Sequence, residues 1–198
     1  EAAIKLARQY AVVRGESSRW KVIARDPGYH GATLGALAVT GDPDSRALHG
    51  AEAKLMPLVP PPFSYRLPPN HDVDSYARHC AAELEATIRR EGPETVLAFI
   101  MEPVGGLATG ALVAPDHSHE AVRAICTKYG VQLIYDEGMS GAGRTGTFLA
   151  AEHWPNARPD LVTLAKGLSA GYTPLGAVLA PARMVEAVAG AGGFLHGH

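Results

Sequence analysis

Short apolar runs alternate along the chain with segments in which apolar residues recur three and four positions apart. The runs predict strands and the spaced segments predict helices. The longest predicted helix covers 74–91, with Asp72 or Asp74 as its cap and Gly92 and Pro93 as its stop. The other predicted helices are 1–13, 31–38, 118–129 and 181–189, and the predicted strands are 20–25, 95–101, 131–137, 161–165 and 176–180.

Apolar strands separated by helices are typical of a parallel sheet covered on both faces. The predicted fold class is therefore α/β, with a mostly parallel sheet flanked by helices on both faces. Ligands of such sheets bind beyond the carboxyl ends of the strands, which places the chemistry just after Met101, Tyr135 and Ala165. The proline-rich segment 57–70 cannot be a central strand or helix. We interpret it as an extended surface connection, with a PxxP peptide ligand as the alternative.

Composition and charge narrow the class of protein. The 198 residues carry a formal net charge of −2, without the basic excess of a nucleic-acid or acidic-lipid binder. No apolar run approaches the roughly 20 residues that span a bilayer. Cys80 and Cys126 are too far apart for a zinc knuckle or a disulfide scaffold. We expect one cytoplasmic globular domain, and the uncapped start and the glycine-rich end (189–198) predict a piece of a longer protein.

The three predicted strand ends carry Glu102, Asp136 with Glu137, and Lys166. Lys166 follows an apolar strand and precedes small residues, so we expect a partly desolvated amine that can attack a carbonyl. Asp136 ends a buried strand and needs a cationic partner. That partner could be the protonated pyridine nitrogen of pyridoxal phosphate, or Arg144 in a structural ion pair.

Tyr29 lies between two glycines, at positions 28 and 31, just after the first predicted strand. Its ring could lie flat against another ring with little nearby bulk to obstruct it. Taken alone, however, the segment favours a tyrosine that packs in the core near a turn.

Residues 141–146 match the dinucleotide pattern G-x-G-x-x-G, and Asp160 follows at roughly the offset of a ribose-binding acid. These glycines do not directly follow a strand, and Pro155 and Pro159 interrupt the required helix. A nicotinamide-dependent dehydrogenase is therefore a remote alternative. No metal site is predicted, because two histidine pairs (His117 with His119, His196 with His198) lie in predicted loops without a third ligand.

Taken together, these segments resemble the class III aminotransferases, which are pyridoxal-phosphate enzymes of fold type I. The resemblance covers nearly the whole chain, and its motifs follow the family's order. Residues 133–146 and 159–178 resemble the family's two most specific motifs, the Asp-Glu signature and the lysine signature. Three further segments resemble the helix after the phosphate-binding turn (1–8), the cofactor-stacking segment (28–37) and the Glu-Pro-Val segment (99–106).

The resemblance implies a role for each candidate residue. Lys166 would form a Schiff base with pyridoxal phosphate and then move the proton at the substrate α-carbon. Asp136 would hold the pyridine nitrogen, and Tyr29 would stack on the ring. The remaining cofactor-binding residues would be His30, Glu102 and Met139, the last standing beside the phenolic oxygen where glutamine is commoner in the family.

The implied reaction is transfer of an amino group from an amine or amino acid to a keto acid or aldehyde. An aminomutase, racemase or decarboxylase of the same family, or a non-catalytic fragment, remains as an alternative. The implied domain is the large cofactor-binding domain over 1–198, and we expect it to be truncated at both ends, without the phosphate turn and without the C-terminal small domain. The family's active site lies at a homodimer interface, so we expect the isolated chain to bind the cofactor poorly and not to turn over.

Gly138 departs from the family pattern. The family usually places valine or another apolar residue there, against the second face of the cofactor ring. Glycine removes that contact, so the resemblance implies a looser seat for the cofactor.

Overall fold

The computed structural model describes residues 1–196, and its centre is a six-stranded sheet. His198, the second member of a predicted histidine pair, lies outside the described residues. The strands are β1 (Lys21–Arg25), β2 (Leu58–Val59), β3 (Val96–Met101), β4 (Gln132–Glu137), β5 (Leu161–Leu164) and β6 (Ala177–Leu179). The helices are α1 (Ala2–Val13), α2 (Leu34–Leu37), α3 (Pro43–His49), α4 (Val73–Glu91), α5 (Asp116–Tyr129) and α6 (Ala182–Gly190).

The strand order is β2-β1-β3-β4-β5-β6. The first five strands in that order are mutually parallel, and β6 at the far edge runs antiparallel to β5. The prediction of a mostly parallel α/β sheet is confirmed. Parallel pairing also brings the ends of β3, β4 and β5 to one edge of the sheet, because all three strands point the same way.

Helices cover both faces of the sheet, as predicted. On one face, Leu6 of α1 and Met184 of α6 pack in a core cluster with Leu97 and Ile100 of β3. On the other face, α4 and α5 supply a second cluster around Phe99, with Leu84, Ile88, Val122 and Cys126 among its members. Because the inner strands β1, β3, β4 and β5 are buried on both sides, they read as mostly apolar runs.

Helix α4 begins and ends at the residues that local sequence chemistry selects. The Asp72 carboxylate accepts a hydrogen bond from the Ser75 backbone nitrogen at 2.7 Å, and the Ser75 hydroxyl accepts one from the Asp72 nitrogen at 2.9 Å. This reciprocal pair is a capping box. Gly92 ends the helix with φ of 86°, a left-handed conformation that suits glycine.

Helix α3 was not predicted, although the sequence carries its start signal. Asp42 accepts from the Ser45 nitrogen at 3.1 Å, and Pro43 occupies the first helical position. An aspartate followed by proline is a common helix start, since proline's fixed φ suits the first turn. The helix has no buried residue, so it lacks the apolar periodicity on which the prediction relied.

The proline-rich segment is more than a surface connection, and that interpretation is wrong for its first residues. Leu58 and Val59 form the edge strand β2 beside Ala24 and Arg25, and Val59 is buried. The Ala24 nitrogen donates to the Pro57 carbonyl at 3.1 Å. A proline can border this strand because it serves there only as an acceptor.

Glu85 joins α4 to α5. One carboxylate oxygen accepts from Lys128 Nζ, Tyr129 Oη and Arg89 Nη2, each at 2.8 Å. The hydrogen bonds from Lys128 and Tyr129 lower the pKa of Glu85 to about 2. A carboxylate with a depressed pKa stabilises the fold above its unfolded pKa, and that contribution is lost as the pH falls through the folded value.

We therefore expect Glu85→Gln to lower the urea midpoint at pH 7, and we expect the difference from the native chain to shrink as the pH falls from 4.5 towards 2. Urea titrations at several pH values measure this dependence. Glu83→Gln on the same helix is the control, because Glu83 makes no ion pair among residues 1–196. Equal midpoint losses in the two variants would contradict the role assigned to Glu85.

Candidate active site

The carboxyl ends of the parallel strands open onto a cleft of about 710 Å³. The cleft lies where the fold class predicted the chemistry, because loops after β1, β3, β4 and β5 all contribute to its wall. All six candidate residues named from the sequence line it: Tyr29, His30, Glu102, Asp136, Met139 and Lys166.

Asp136 is held at the base of the cleft by hydrogen bonds to both carboxylate oxygens. Oδ2 accepts from His30 Nδ1 at 2.9 Å, while Oδ1 accepts from the Thr163 hydroxyl and the Gly138 nitrogen, each at 3.0 Å. Burial alone would raise the pKa of Asp136, but the hydrogen bond from His30, with those from the other two donors, holds this pKa below its ordinary value. Asp136 is therefore an ionised carboxylate at neutral pH. The alternative partner Arg144 is exposed, and the partner found is His30.

Lys166 lies at the same end of the cleft, two residues after the last residue of β5. A Cβ placed on Gly138 would lie 3.1 Å from Asp136 Oδ1 and 3.6 Å from Lys166 Nζ. The amine and the carboxylate thus border one small space, with the bare Gly138 backbone between them. Lys166 has φ of 44°, which is uncommon for a residue with a side chain and recurs at functional sites. Its side chain is exposed, so the prediction of a partly desolvated amine is wrong for the described chain.

Tyr29 and Glu102 are linked across the cleft. The Tyr29 nitrogen donates to Glu102 Oε1 at 3.1 Å, and the Tyr29 side chain is 43% exposed. The alternative of a tyrosine packed in the core is therefore wrong, and the ring lies at the cleft wall. A Cβ on Gly106 would overlap Glu102 and approach Met139 Sδ at 2.9 Å, so the loop after β3 packs tightly against both residues.

Two threonines support the site and were missed by the sequence reasoning. Thr163 is the one polar residue of β5 and binds Asp136, so a lone polar residue in an apolar strand was its signal. Thr40 is fully buried, and its hydroxyl accepts from the His30 nitrogen at 3.0 Å. No local pattern distinguishes Thr40 from other loop threonines, because its partner is set by the loop's path.

His119 belongs to a buried layer beneath the loop after β3, although it was predicted to be a loop histidine. Its Nε2 donates to the Pro103 carbonyl at 3.1 Å, and its ring stacks on Trp154 with centroids 3.7 Å apart. Burial lowers the pKa of His119 to about 4, and the positive charge of nearby Arg25 is the second cause of this shift. The neutral ring therefore anchors the residue directly after Glu102.

Among residues 1–196, no three His, Cys, Asp or Glu side chains come together as a metal site requires.

The dinucleotide alternative fails on geometry. No α-helix follows residues 141–146, and a short 3-10 helix begins at Ala150 instead. Glu137 accepts from the nitrogens of Ala150 and Ala151 at 2.6 and 2.9 Å, and so holds this loop to the end of β4. Asp160 accepts from the Leu133 nitrogen at 2.8 Å, at the opposite end of β4 from the cleft.

The described chain is an α/β protein with a mostly parallel sheet covered on both faces, and a lysine and an ionised aspartate share the cleft at the carboxyl edge of that sheet. The aminotransferase class-III family model matches residues 1–198, and the chain belongs to this family. No helix among the described residues is long and apolar enough to cross a membrane.

Individual relatives agree with the family. A probable aminotransferase, Rv3329, of Mycobacterium tuberculosis is 41% identical over 192 residues, covering 94% of this chain and 40% of that protein. A thermostable (S)-enantioselective omega-transaminase from Thermomicrobium roseum superposes with a TM-score of 0.93 at 40% identity, over 100% of this chain and 44% of that one. The omega-transaminase of Pseudomonas jessenii, solved in complex with PMP, superposes with a TM-score of 0.91 at 32% identity, over 99% of this chain and 44% of that one. The chain thus spans about two fifths of the length of these relatives.

The depressed pKa of His119 predicts a pH dependence of stability. The unfolded chain binds the proton more readily than the folded one, so stability is lost as the pH falls from 6.5 towards 4. We expect a loss of about 3 kcal/mol from this group over that interval, at 1.36 kcal/mol for each unit of pKa difference. Denaturant unfolding at pH 7 and pH 4 measures it.

His119→Phe keeps the ring stacked on Trp154 and removes the titrating group. This variant should start less stable at pH 7, because the Pro103 carbonyl loses its donor, and should show a flatter pH dependence. The same pH slope in both proteins would contradict the assignment to His119.

Proposed function

We propose that the protein containing this chain is a pyridoxal-phosphate-dependent aminotransferase that moves an amino group from an amine or amino acid to a keto acid or aldehyde. The observation that carries the proposal is the pairing of Lys166 Nζ with the Asp136 carboxylate around Gly138 in one cleft. Membership of the class III aminotransferase family, and a structural relative solved with PMP, support it.

The residues at the base of the cleft fit the ring of pyridoxal phosphate. The cofactor supplies an electron sink, provided that its pyridine nitrogen stays protonated. Asp136 is the group that would hold that proton, because its carboxylate is ionised and both its oxygens are fixed in position. The ring would lie in the cleft that Asp136 and Lys166 both line.

Each remaining candidate has a task that follows from its position. Lys166 Nζ would hold the cofactor through its aldehyde carbon and, as a free amine, would carry the proton to and from the substrate α-carbon. Tyr29 would cover one face of the ring, since its side chain is exposed to the cleft. His30 and Glu102 would keep Asp136 and Tyr29 in place through the bonds described above, and Met139 would border the phenolic oxygen.

A homodimer completes the proposal. Several large apolar side chains are exposed, among them Leu107 at the cleft, and such groups are usual at subunit interfaces. The exposed Lys166 would then be shielded from water by the partner subunit. A cytoplasmic enzyme acting on small amines and keto acids fits these features.

Borohydride reduction tests the proposal. The complete protein that contains this chain should develop visible absorbance with pyridoxal phosphate, and reduction should fix the cofactor on the peptide carrying Lys166, as read by mass spectrometry. Lys166→Ala should abolish the labelling.

Asp136→Asn should retain the labelling. The rate of the amine-to-keto-acid reaction should fall by about 10³-fold or more, because a neutral amide cannot hold the pyridine proton. Labelling at another lysine would overturn the proposal, and turnover without a keto-acid acceptor would point to another reaction.

Gly138 supplies a further test. We expect Gly138→Val to lower the Kd for pyridoxal phosphate by about tenfold, because an aliphatic side chain against the ring buries apolar surface worth about 1.5–3 kcal/mol. Gly138→Ala is the matched control, since it adds the same close Cβ contact with Asp136 and covers much less of the ring. The Kd values are measured by absorbance titration. Equal values for the two variants would contradict the idea that contact of the valine side chain with the ring tightens binding.

A further inference from the structure

A second, much smaller cavity lies beneath the cleft floor. It offers about 10 Å³ to the centre of a water-sized sphere. Four polar side chains line it, from β1 and the loops that carry the cleft residues: Arg25, His30, Glu102 and Thr109. Prolines, glycines and apolar residues form the rest of its wall.

Two polar atoms at this cavity are buried without partners among the described residues. His30 Nε2 and Thr109 Oγ1 are both inaccessible, and neither has a hydrogen-bond partner among residues 1–196. Arg25 is only 9% exposed, and within the same residues its guanidinium forms no ion pair. Burial lowers the pKa of Arg25, and the nearby Glu102 is one of the groups whose charge opposes that effect. A buried polar atom without a hydrogen-bond partner destabilises the folded chain, so such atoms are usually satisfied by protein or by water.

The volume and the charges at the cavity together select its occupant. A water requires about 10–15 Å³ for its centre and two to four polar partners, and this cavity offers both. A cation would meet Arg25 and an anion would meet Glu102, so a neutral ligand is favoured. We propose that the cavity binds one structural water that bridges Arg25 to Glu102, with Thr109 and His30 as its other two partners.

The hydrogen bonds of this water balance. The Arg25 guanidinium and the Thr109 hydroxyl donate to its oxygen. The two hydrogens of the water go to the Glu102 carboxylate and to His30 Nε2. His30 must then carry its own hydrogen on Nδ1, which is the atom that faces Asp136 Oδ2 at 2.9 Å.

The water connects the two sides of the cleft. It supports Asp136 through His30, and it supports the Tyr29 backbone through Glu102. Arg25 and Thr109 are therefore positioning residues for the cofactor site, although neither lines the large cleft. Their effect on the cofactor rests on the function proposed above, whereas the water site itself does not.

The loop glycines are consistent with this arrangement. A Cβ on Gly105 would overlap the Thr109 hydroxyl. The loop after β3 therefore folds with glycine directly against Thr109, and the Gly105 nitrogen is tied to the Leu112 carbonyl at 2.8 Å. This tight return holds Thr109 at the cavity wall.

A crystal structure of the complete protein and one pair of variants test the proposal. The native structure should show a single water within hydrogen-bond distance of Arg25, His30 Nε2, Glu102 and Thr109. Thr109→Val keeps the shape and removes the hydroxyl, while Thr109→Ser retains the hydroxyl. In protein labelled with ¹⁵N-histidine, the valine variant should shift the Nε2 resonance of His30, and the serine variant should leave it in place.

The cofactor provides a separate measurement. Loss of one buried hydrogen bond corresponds to about a tenfold increase in the Kd for pyridoxal phosphate in Thr109→Val, with little change in Thr109→Ser. A native crystal structure with no water in the cavity, or identical His30 resonances in the two variants, would overturn the water site. Failure of cofactor binding in the native protein would instead overturn the proposed function, because the crystallographic and nuclear resonance measurements need no cofactor.

Discussion

The carboxylate of Asp136 is the constraint around which the cleft is arranged. A charge at the end of a buried strand is costly unless donors surround it, and here the donors come from three separate parts of the chain. His30 arrives from the loop after β1, Thr163 from β5, and the Gly138 nitrogen from the turn that leaves β4. Satisfying this one group fixes the positions of β4, β5 and the loop after β1 relative to one another.

The opposite wall of the cleft is built on the same principle. Glu102 accepts from the Tyr29 backbone, and the residue after Glu102 is anchored by His119 from α5. His119 is held in turn by its stack on Trp154, whose Nε1 donates to Asp116 at 3.1 Å. Helix α5 thus reaches the site indirectly, through a neutral imidazole and a carbonyl. These bonds hold both walls of the cleft in fixed positions.

Two glycines lie close to the candidate residues of the cleft. A Cβ on Gly106 would meet the Glu102 carboxylate and the Met139 sulfur, so these two side chains would have to shift. At Gly138 the space between Asp136 and Lys166 is narrow, and a Cβ there would sit at 3.1 Å from the carboxylate. Glycine at this position therefore leaves open the space beside the Asp136 carboxylate that a side chain would occupy.

Much of the fold and the candidate site followed from the chain's own pattern. Apolar runs and helical periodicity determined the parallel sheet, its two helical layers and the edge at which Glu102, Asp136 and Lys166 emerge, because burial on both faces leaves a strong local signal. The edge strand at Leu58 and Val59 and helix α3 have no apolar periodicity that could predict them. The strand is only two residues long, and the helix buries no side chain. Only the tertiary structure decided that His30 is the partner of Asp136, that Thr40 and Thr163 support the pair, and that His119 is buried. These contacts join residues distant in sequence, and the path of the intervening loops, rather than any local preference, brings them together.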